Sequence, residues 1–285
     1  MIEKKLLSYF GLKWNPFLPN IPVEALWSPK EMESFLFRLE NLVMDGGFAL
    51  ITGEPGLGKS KTLQIIANHL KRLDDVVVGV MQRPQSTLSD FYREMGDLFG
   101  VNLTFNSRYG SFKVLRERWK DHIKNTLFRP VLLIDEAQEM LTESLNEIRH
   151  LCSQKFDSEC LLTTVICGDL RLPERFRSES LIALGSRIRL RLRLETYDRE
   201  ELLSYLDHSL ENAAASNLIK QSLIETLVDH CAGNLRLLNN MGAELLEKAF
   251  QNELSQIDDK LFLETFSRSG KSRKQSKKKL TNQFC

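Results

Sequence analysis

Positions 53–60 read GEPGLGKS and have the residue types needed to bind a chain of phosphates. This segment, called here the phosphate loop, fits the pattern GxxxxGK[ST] between the apolar run GFALIT and a stretch with helical periodicity. Glycines let the backbone N–H groups of such a loop surround phosphate, and the following helix adds the positive end of its dipole. In this pattern Lys59 reaches the terminal phosphates and Ser60 ligates Mg²⁺. Because a predicted strand precedes the motif and a predicted helix follows it, a phosphate-binding loop is favoured over a chance match in a tight turn.

Two acidic residues, Asp135 and Glu136, end the apolar segment LLIDE. Ligands bind at the carboxyl ends of strands in open α/β sheets, so this position suits a second half of the same site. Asp135 would hold Mg²⁺ through water, and Glu136 would polarise the attacking water. An acidic strand end is ordinary by itself, but with the phosphate loop it predicts an ATPase that converts ATP to ADP and phosphate. The residues predicted to bind ATP here are Gly53, Glu54, Pro55, Gly56, Leu57, Gly58, Lys59, Ser60, Lys61 and Asp135, with Ser60 and Asp135 as the metal ligands.

The segments that position these residues alternate between strand and helix patterns. Short apolar runs predict buried strands, and they lie at 47–52, 76–81, 129–137 and 160–168. Helices between strands imply a parallel sheet covered on both faces. One helix is expected from Pro29 to about Met44 with Ser28 as its N-cap, and only helical periodicity remains from Glu200 onward. The predicted fold is α/β with a small all-α lid, divided into an N-terminal segment and leading helix (1–46), a nucleotide-binding subdomain (47–196), the lid (197–266) and a disordered basic tail (267–285).

The stretch LGSRIRLRLRL at 184–194 alternates arginine with aliphatic residues, which is the period of a β-strand. It predicts a fifth strand with one apolar face and one cationic face. A central strand of a covered sheet should be apolar on both faces, so we expect an edge strand. Its arginines could line a subunit interface, contact DNA or protect the edge, and the first and last of these roles are favoured. They are Arg187, Arg189, Arg191 and Arg193.

The bulk composition describes a soluble globular protein. The 285 residues are 42% hydrophobic and 27% charged, which excludes a disordered chain. The net charge of +1 excludes a polycation, so affinity for nucleic acid must come from local clusters. Five cysteines without CxxC spacing favour reduced, buried thiols in a cytoplasmic protein over disulfides or a zinc site. No apolar run is long enough for a signal peptide or a membrane span, so we expect no membrane association.

The order of these elements resembles the AAA+ ATPase superfamily, which has a phosphate loop, an acidic strand, a sensor strand, an arginine before the fifth strand and a helical lid. The resemblance implies three further roles. Asp169 in VICGD would be a sensor of the γ-phosphate or the attacking water, where the superfamily more often has Asn, Thr or Gln. Arg187 in LGSRI would be an arginine finger that enters the ATP site of the adjacent subunit, with Arg189 as second choice. Arg236 in AGNLRLLNNM would be the second sensor.

Residues 9–266 resemble the ExeA, TniB and MuB group of bacterial AAA+ ATPases, which includes TnsC-like proteins. YFGLKWNPF at 9–17 carries most of the likeness, and VICGDLRLPERF and NLRLLNN add to it. The resemblance implies an ATP-dependent regulator of DNA transposition, assembled as a ring or filament of identical subunits on duplex DNA, which recruits a transposase. The alternatives are an ExeA-like ATPase of secretion or envelope assembly and an IstB-like helicase loader. ExeA-type proteins have a membrane segment after the ATPase, whereas the lysine-rich end of this sequence favours an anionic polymer.

Two cationic clusters are candidate contacts with DNA phosphates. Such contacts are independent of sequence and weaken with salt, and nothing here resembles a base-reading motif. A solubilising tail and an ordinary solvated helix face are the alternatives. The candidates are Lys274, Lys277 and Lys278 in the tail, and Lys113, Arg116 and Lys120 in the helix predicted within 107–120.

Overall fold

The computed structural model describes residues 2–82, 84–85, 87–103, 107–126, 129–156 and 158–267. These residues form two compact units. The α/β unit spans residues 28–195, and the helical unit combines the residues up to 27 with those from 196 onward. The predicted tail contacts Lys274, Lys277 and Lys278 lie outside the described residues.

The α/β unit is built on a parallel sheet. The strands of the described chain are β1 (Gly47–Gly53), β2 (Val76–Met81), β3 (Arg129–Ile134), β4 (Ser153–Gln154), β5 (Glu159–Cys160), β6 (Thr163–Gly168) and β7 (Ile188–Leu194). Among the described residues, five of them form one sheet in the order β2-β3-β6-β1-β7, and every pairing in it is parallel. β1 and β6 are buried along their whole length, as strands at the centre of a covered sheet are. The predicted α/β fold class is therefore confirmed.

The helices separate consecutive strands of the sheet and then form the helical unit. In the described residues they are α1 (Ile2–Phe10), α2 (Glu31–Asp45), α3 (Lys59–Lys71), α4 (Leu88–Phe99), α5 (Arg108–Asp121), α6 (Thr142–Cys152), α7 (Arg171–Arg175), α8 (Ile182–Gly185), α9 (Arg199–Asn212), α10 (Gln221–His230), α11 (Leu235–Gln251) and α12 (Asp259–Ser267). Phe48 and Leu50 of β1 share a core with Phe91 of α4, Trp119 of α5 and Leu145 of α6. No helix within the described ranges is both long and apolar enough to cross a membrane.

Helix α2 begins later than the sequence predicts. Its N-cap position is Lys30, and no side chain caps it. The N–H of Met32 donates to the carbonyl of Pro29 at 3.0 Å. The helical turn therefore forms after Pro29, and the prediction of Ser28 as the N-cap is wrong.

β7 is an edge strand, as predicted, because it pairs with β1 and ends the strand order. Its register shifts between Phe48 and Ala49, which pair with Ile188 and Leu190, so Arg189 is an extra residue at a bulge. Paired residues of neighbouring strands point to the same face, so Ile188 and Leu190 lie on opposite faces. The prediction of one continuous apolar face is therefore wrong at this bulge, although burial alternates along the strand as predicted. The arginines exposed along β7 are Arg189, Arg191 and Arg193.

The N-terminal residues contribute to the core of the helical unit. Leu6, Leu12 and Phe17 are buried in one hydrophobic cluster with residues of α9 to α12, including Leu206 and Leu245. The predicted domain boundaries instead place these residues with α2 in one segment, 1–46. Packing between the two ends of a chain leaves no periodic pattern, so a local reading of the sequence does not detect it.

A short antiparallel hairpin of β4 and β5 precedes β6. Cys152 at the end of α6 and Cys160 in β5 form a disulfide, with Cα atoms 5.1 Å apart. The prediction of reduced thiols is wrong for this pair, because a hairpin at 153–160 that the sequence did not predict brings the two residues together. Cys167 and Cys231 are buried thiols.

Candidate functional site

The phosphate loop joins β1 to α3 in a conformation that depends on glycine. Gly56 and Gly58 have φ angles of 94° and 89°, in the left-handed region that residues with a Cβ atom rarely adopt. Gly58 is also the N-cap residue of α3, so the helix begins directly at the loop. The loop therefore has both the backbone conformation and the helix N-terminus that phosphate binding uses.

Lys59, the first residue of α3, is only 7% exposed. Its ammonium group donates to the carbonyls of Gly53 and Glu54, each at 3.0 Å. A buried charge needs such partners, and they hold the ammonium group against the loop that would carry the phosphates. Ser60 is exposed on the same helical turn, and partial burial lowers the pKa of Lys61.

Asp135 and Glu136 follow β3 directly and lie at the same edge of the sheet as the phosphate loop. This arrangement results from the strand order, in which parallel β3 and β1 flank β6. The carboxylate of Asp135 accepts the backbone N–H of Glu136 at 2.9 Å. Glu136 has φ 50° and ψ 37°, a left-handed conformation that is uncommon for a residue with a side chain and is concentrated at functional sites.

Cys167 lies on β6 between these two motifs, in register with Ile51 of β1. Burial raises the pKa of the Cys167 thiol, and the carboxylate of Asp135, to which the thiol is hydrogen-bonded, raises it further. The thiol therefore stays protonated and acts as a weak donor to Asp135.

Gln138 is a site residue that the sequence motifs do not indicate. It lies in the 3₁₀ turn Ala137–Glu139 and is 8% exposed. Its Nε2 atom donates to the carboxylate of Glu136, and its Oε1 atom accepts the backbone N–H of Asp169 at 3.2 Å. The sequence offers no signal for this role beyond a position two residues after Glu136.

Asp169, the predicted sensor, follows the end of β6, and its carboxylate is bound by Arg171. The backbone N–H of Arg171 donates to it at 2.9 Å and the Nε atom at 2.7 Å. Arg171 also donates to Glu139 at 2.8 Å, and the hydrogen bonds to Asp169 and Glu139 raise its pKa. The carboxylate of Asp169 is thus held by a cation, and its backbone N–H is the atom linked to Gln138.

Arg187, the predicted finger, lies at the amino ends of the strands, whereas the phosphate loop lies at their carboxyl ends. β7 starts at Ile188 beside Phe48, whereas the loop follows Gly53 at the other end of β1. The guanidinium group of Arg187 donates to the carbonyl of Ala183. The structure therefore does not bring Arg187 to the ATP-binding residues of its own chain.

Arg236, the predicted second sensor, lies in the first turn of α11 in the helical unit. The side chain of the N-cap residue Asn234 accepts the backbone N–H groups of Arg236 and Leu237 at 3.0 and 3.2 Å. Leu235 and Leu238 are buried, whereas Arg236 is exposed. Its guanidinium group thus projects away from the core of the unit.

The candidate DNA contacts in α5 are not three equivalent surface cations. Lys113 is exposed and pairs with Glu117 at 3.8 Å, and Lys120 is half-buried. Arg116 is partly buried, which lowers its pKa, and it caps the end of α6. The carbonyls that accept its hydrogen bonds are those of His150 at 3.0 Å, Leu151 at 2.9 Å and Ser153.

The residues at the sheet edge fit ATP with Mg²⁺. In the part of the chain that the structure describes, no group of three or more His, Cys, Asp or Glu could hold a metal ion. Mg²⁺ bound with a nucleotide needs only one or two protein ligands, because phosphates and waters supply the others. Ser60 after the phosphate loop and Asp135 after β3 would supply them, and the glycine-dependent loop suits the phosphates.

Comparison with known proteins gives a family match over the region that contains the phosphate loop and Asp135. Residues 43–176 match the family model described as an AAA domain. General secretion pathway protein A from Aeromonas hydrophila is 28% identical over 248 residues. That match covers 85% of this chain but 44% of the secretion protein, so the chain spans less than half the length of this relative.

Solved structures share the fold of this chain at low sequence identity. The Aeropyrum pernix ORC2 protein in its ADPNP-ADP complexes has a TM-score of 0.71 at 16% identity, covering 90% of this chain and 72% of that one. Drosophila ORC bound to DNA has a TM-score of 0.62 at 17% identity, covering 92% and 65%. These likenesses show the fold alone. The chain therefore shares the α/β fold of these structures, and its residues 43–176 are similar to an AAA domain.

Proposed function

We propose that this chain is a Mg²⁺-dependent ATPase whose bound nucleotide controls its assembly. The proposal rests on one observation. The phosphate loop after β1 and the Asp135–Glu136 pair after β3 lie at the same ends of parallel strands of one sheet. One motif suits the phosphates and the other suits the metal ion and the attacking water. The AAA domain match over residues 43–176 supports this assignment.

The residues at these strand ends have separate tasks in hydrolysis. The loop N–H groups hold the phosphates, and Lys59 exchanges its bonds to loop carbonyls for bonds to the terminal phosphates. Ser60 and Asp135 would hold Mg²⁺, which neutralises charge on the phosphate oxygens. Glu136 orients the attacking water and polarises it. Asp169 is assigned the role of sensor, acting at the end of β6.

Hydrolysis in this proposal depends on contact between subunits. Arg187 would stabilise the charge that develops on the γ-phosphoryl group bound by a neighbouring copy. Arg236 of the helical unit is assigned as the second sensor. An ATP-bound homo-oligomer, either a ring or a helical filament, is therefore the active form, and hydrolysis is slow in the separated chain.

We further propose that this assembly forms on duplex DNA and recruits a transposase, so that the chain regulates DNA transposition. The lysine-rich sequence around Lys274, Lys277 and Lys278 supports a phosphate-binding role. The likeness in fold to Drosophila ORC, a structure bound to DNA, also supports it. The expected binding is independent of base sequence.

A second candidate is an ATPase of secretion or envelope assembly. The 28% identity to general secretion pathway protein A favours it. This candidate predicts oligomers that depend on nucleotide but not on DNA, so DNA binding separates the two functions.

The test is fluorescence anisotropy of labelled duplex DNA titrated with the protein. The titration is made with ATP, with ADP and without nucleotide, at two salt concentrations, and Lys59→Met serves as the variant without the phosphate-binding ammonium. Salt-sensitive binding that needs ATP and Lys59 supports assembly on DNA. Equal binding in all nucleotide states leaves the cationic sequence as a passive anchor, and no binding favours the secretion candidate.

A further inference from the structure

We propose that Gln138 is a positioning residue that holds the carboxylate of Glu136 and couples it to the end of β6. The inference rests on the proposed function, because it concerns the residue that activates water for ATP hydrolysis. Gln138 acts through Glu136 and does not itself contact the nucleotide in this proposal.

The two hydrogen bonds of Gln138 require an amide side chain. The carboxylate of Glu136 can only accept, so the Nε2 atom must face it. The backbone N–H of Asp169 can only donate, so the Oε1 atom must face it, at 3.2 Å. A glutamate at this position has no donor, and a methionine has neither donor nor strong acceptor.

Neighbouring residues leave space for the amide of Gln138 and hold the backbone of its turn. A Cβ atom at Gly168 would collide with the Oε1 atom of Gln138 and would lie 2.5 Å from the Cδ1 atom of Leu172. Gly168 has no positive φ, so the space for Gln138 and Leu172, not the backbone conformation, requires glycine here. Arg175 donates to the carbonyls of Gln138 at 2.6 Å and Met140 at 3.0 Å. The guanidinium group therefore fixes the backbone of the turn that presents the amide.

This arrangement restrains a side chain that would otherwise be mobile. Glu136 is exposed and projects from a left-handed backbone conformation. An exposed glutamate samples several rotamers, and ordering it has an entropic cost. Because Gln138 is buried and already ordered, its bond selects one position of the carboxylate before ATP is bound. A shift of Asp169 at the end of β6 is passed through the same amide to Glu136.

The test replaces the amide and measures both hydrolysis and backbone protection. Gln138→Met and Gln138→Glu are expected to lower kcat by about 10- to 100-fold, the usual effect of removing a partner that orients a reactive group. The KM for ATP should stay within about threefold, because Lys59 and the phosphate loop are unchanged. Amide hydrogen exchange at Asp169, measured without nucleotide, should become faster in Gln138→Met.

Two further variants keep the experiment interpretable. Gln251→Met makes the same substitution on an exposed glutamine of α11 and should leave kcat unchanged. Gly168→Ala leaves Gln138 in the sequence but displaces its amide, so it should reproduce the loss of kcat if Gln138→Met proves too unstable to assay. Thermal unfolding identifies any variant whose lost activity reflects lost folding.

The outcomes separate this inference from the proposed function. Faster exchange at Asp169 with a lower kcat and an unchanged KM supports a positioning role. Unchanged exchange, or faster exchange with an unchanged kcat, overturns the inference while an active wild-type protein keeps the proposed function. A wild-type protein without ATPase activity overturns the proposed function and this inference with it.

Discussion

Arg187 and the phosphate loop of one chain are too far apart to act on the same nucleotide. β7 starts at Ile188 beside Phe48 and ends at Leu194 beside Gly53, where the loop begins. Its seven residues rise by about 3.3 Å each, which separates the two ends by roughly 20 Å. That distance is several times the length of an arginine side chain. If Arg187 is a finger, it must act on the ATP bound by another copy.

The perturbation is Arg187→Ala. Loss of an arginine finger lowers kcat by about 1,000-fold or more, which corresponds to about 4 kcal/mol of transition-state stabilisation. The affinity for ATP should change little, because the phosphate loop and Lys59 belong to the other side of the proposed interface. Phosphate release at saturating ATP measures kcat, and Arg118→Ala, an exposed arginine of α5, is the matched control.

The decisive assay mixes Arg187→Ala with Lys59→Met. Each variant alone should be inactive, because every interface lacks either the finger or the phosphate-binding lysine. In an equal mixture, about one interface in four joins an intact loop to an intact finger. The mixture should therefore recover about a quarter of the wild-type activity per interface.

Two results would refute this reasoning. Full activity of Arg187→Ala would show that no finger acts from this position. A mixture that assembles but stays inactive would show that the two residues do not meet across an interface. If Arg189→Ala, and not Arg187→Ala, is complemented by Lys59→Met, the bulge residue of β7 is the finger.

Three other predictions concern single side chains. Glu136→Gln should bind ATP normally but release phosphate at least about 100-fold more slowly, since an amide does not accept the proton of water. Burial raises the pKa of Glu147, but hydrogen bonds from Arg108 and Tyr92 lower it more, so the net pKa is depressed. Glu147→Gln should therefore lose about 1–3 kcal/mol of stability at pH 7, and urea unfolding should show the difference shrinking as the pH falls below about 4.5 and Glu147 itself protonates. Cys167, whose pKa burial and Asp135 raise, should resist iodoacetamide in the folded protein, as mass spectrometry of labelled peptides can determine.

The features that could be predicted from the sequence are those with a local cause. The phosphate loop follows from a fixed spacing of glycines and Lys59, and β3 and β6 follow from apolar runs of strand length. The edge position of β7 follows from its exposed arginines, since a charged face cannot lie at the centre of a covered sheet.

The features that could not be predicted depend on residues that meet only in the fold. The bulge at Arg189 is a mismatch between β7 and β1, and neither strand shows it alone. The role of Gln138 requires the turn after β3 to lie beside the end of β6. The pairing of Cys152 with Cys160 depends on a hairpin of only two residues per strand, which is too short to produce a periodic signal.

In the proposed function, the strand order separates the residues for nucleotide binding from the arginine for hydrolysis within one chain. The groups proposed to bind phosphate and activate water lie together at the carboxyl ends of the strands, where Lys59, Asp135 and Glu136 are found. Arg187, the cation proposed to stabilise the transition state, lies at the opposite ends of the strands, directly before the edge strand β7. In the proposed function, a single chain with this geometry binds ATP but lacks a finger for its own site, so hydrolysis would wait until a neighbouring copy is correctly placed. Under this proposal the state of the bound nucleotide depends on assembly, and this holds for assembly on DNA and for assembly with a secretion partner.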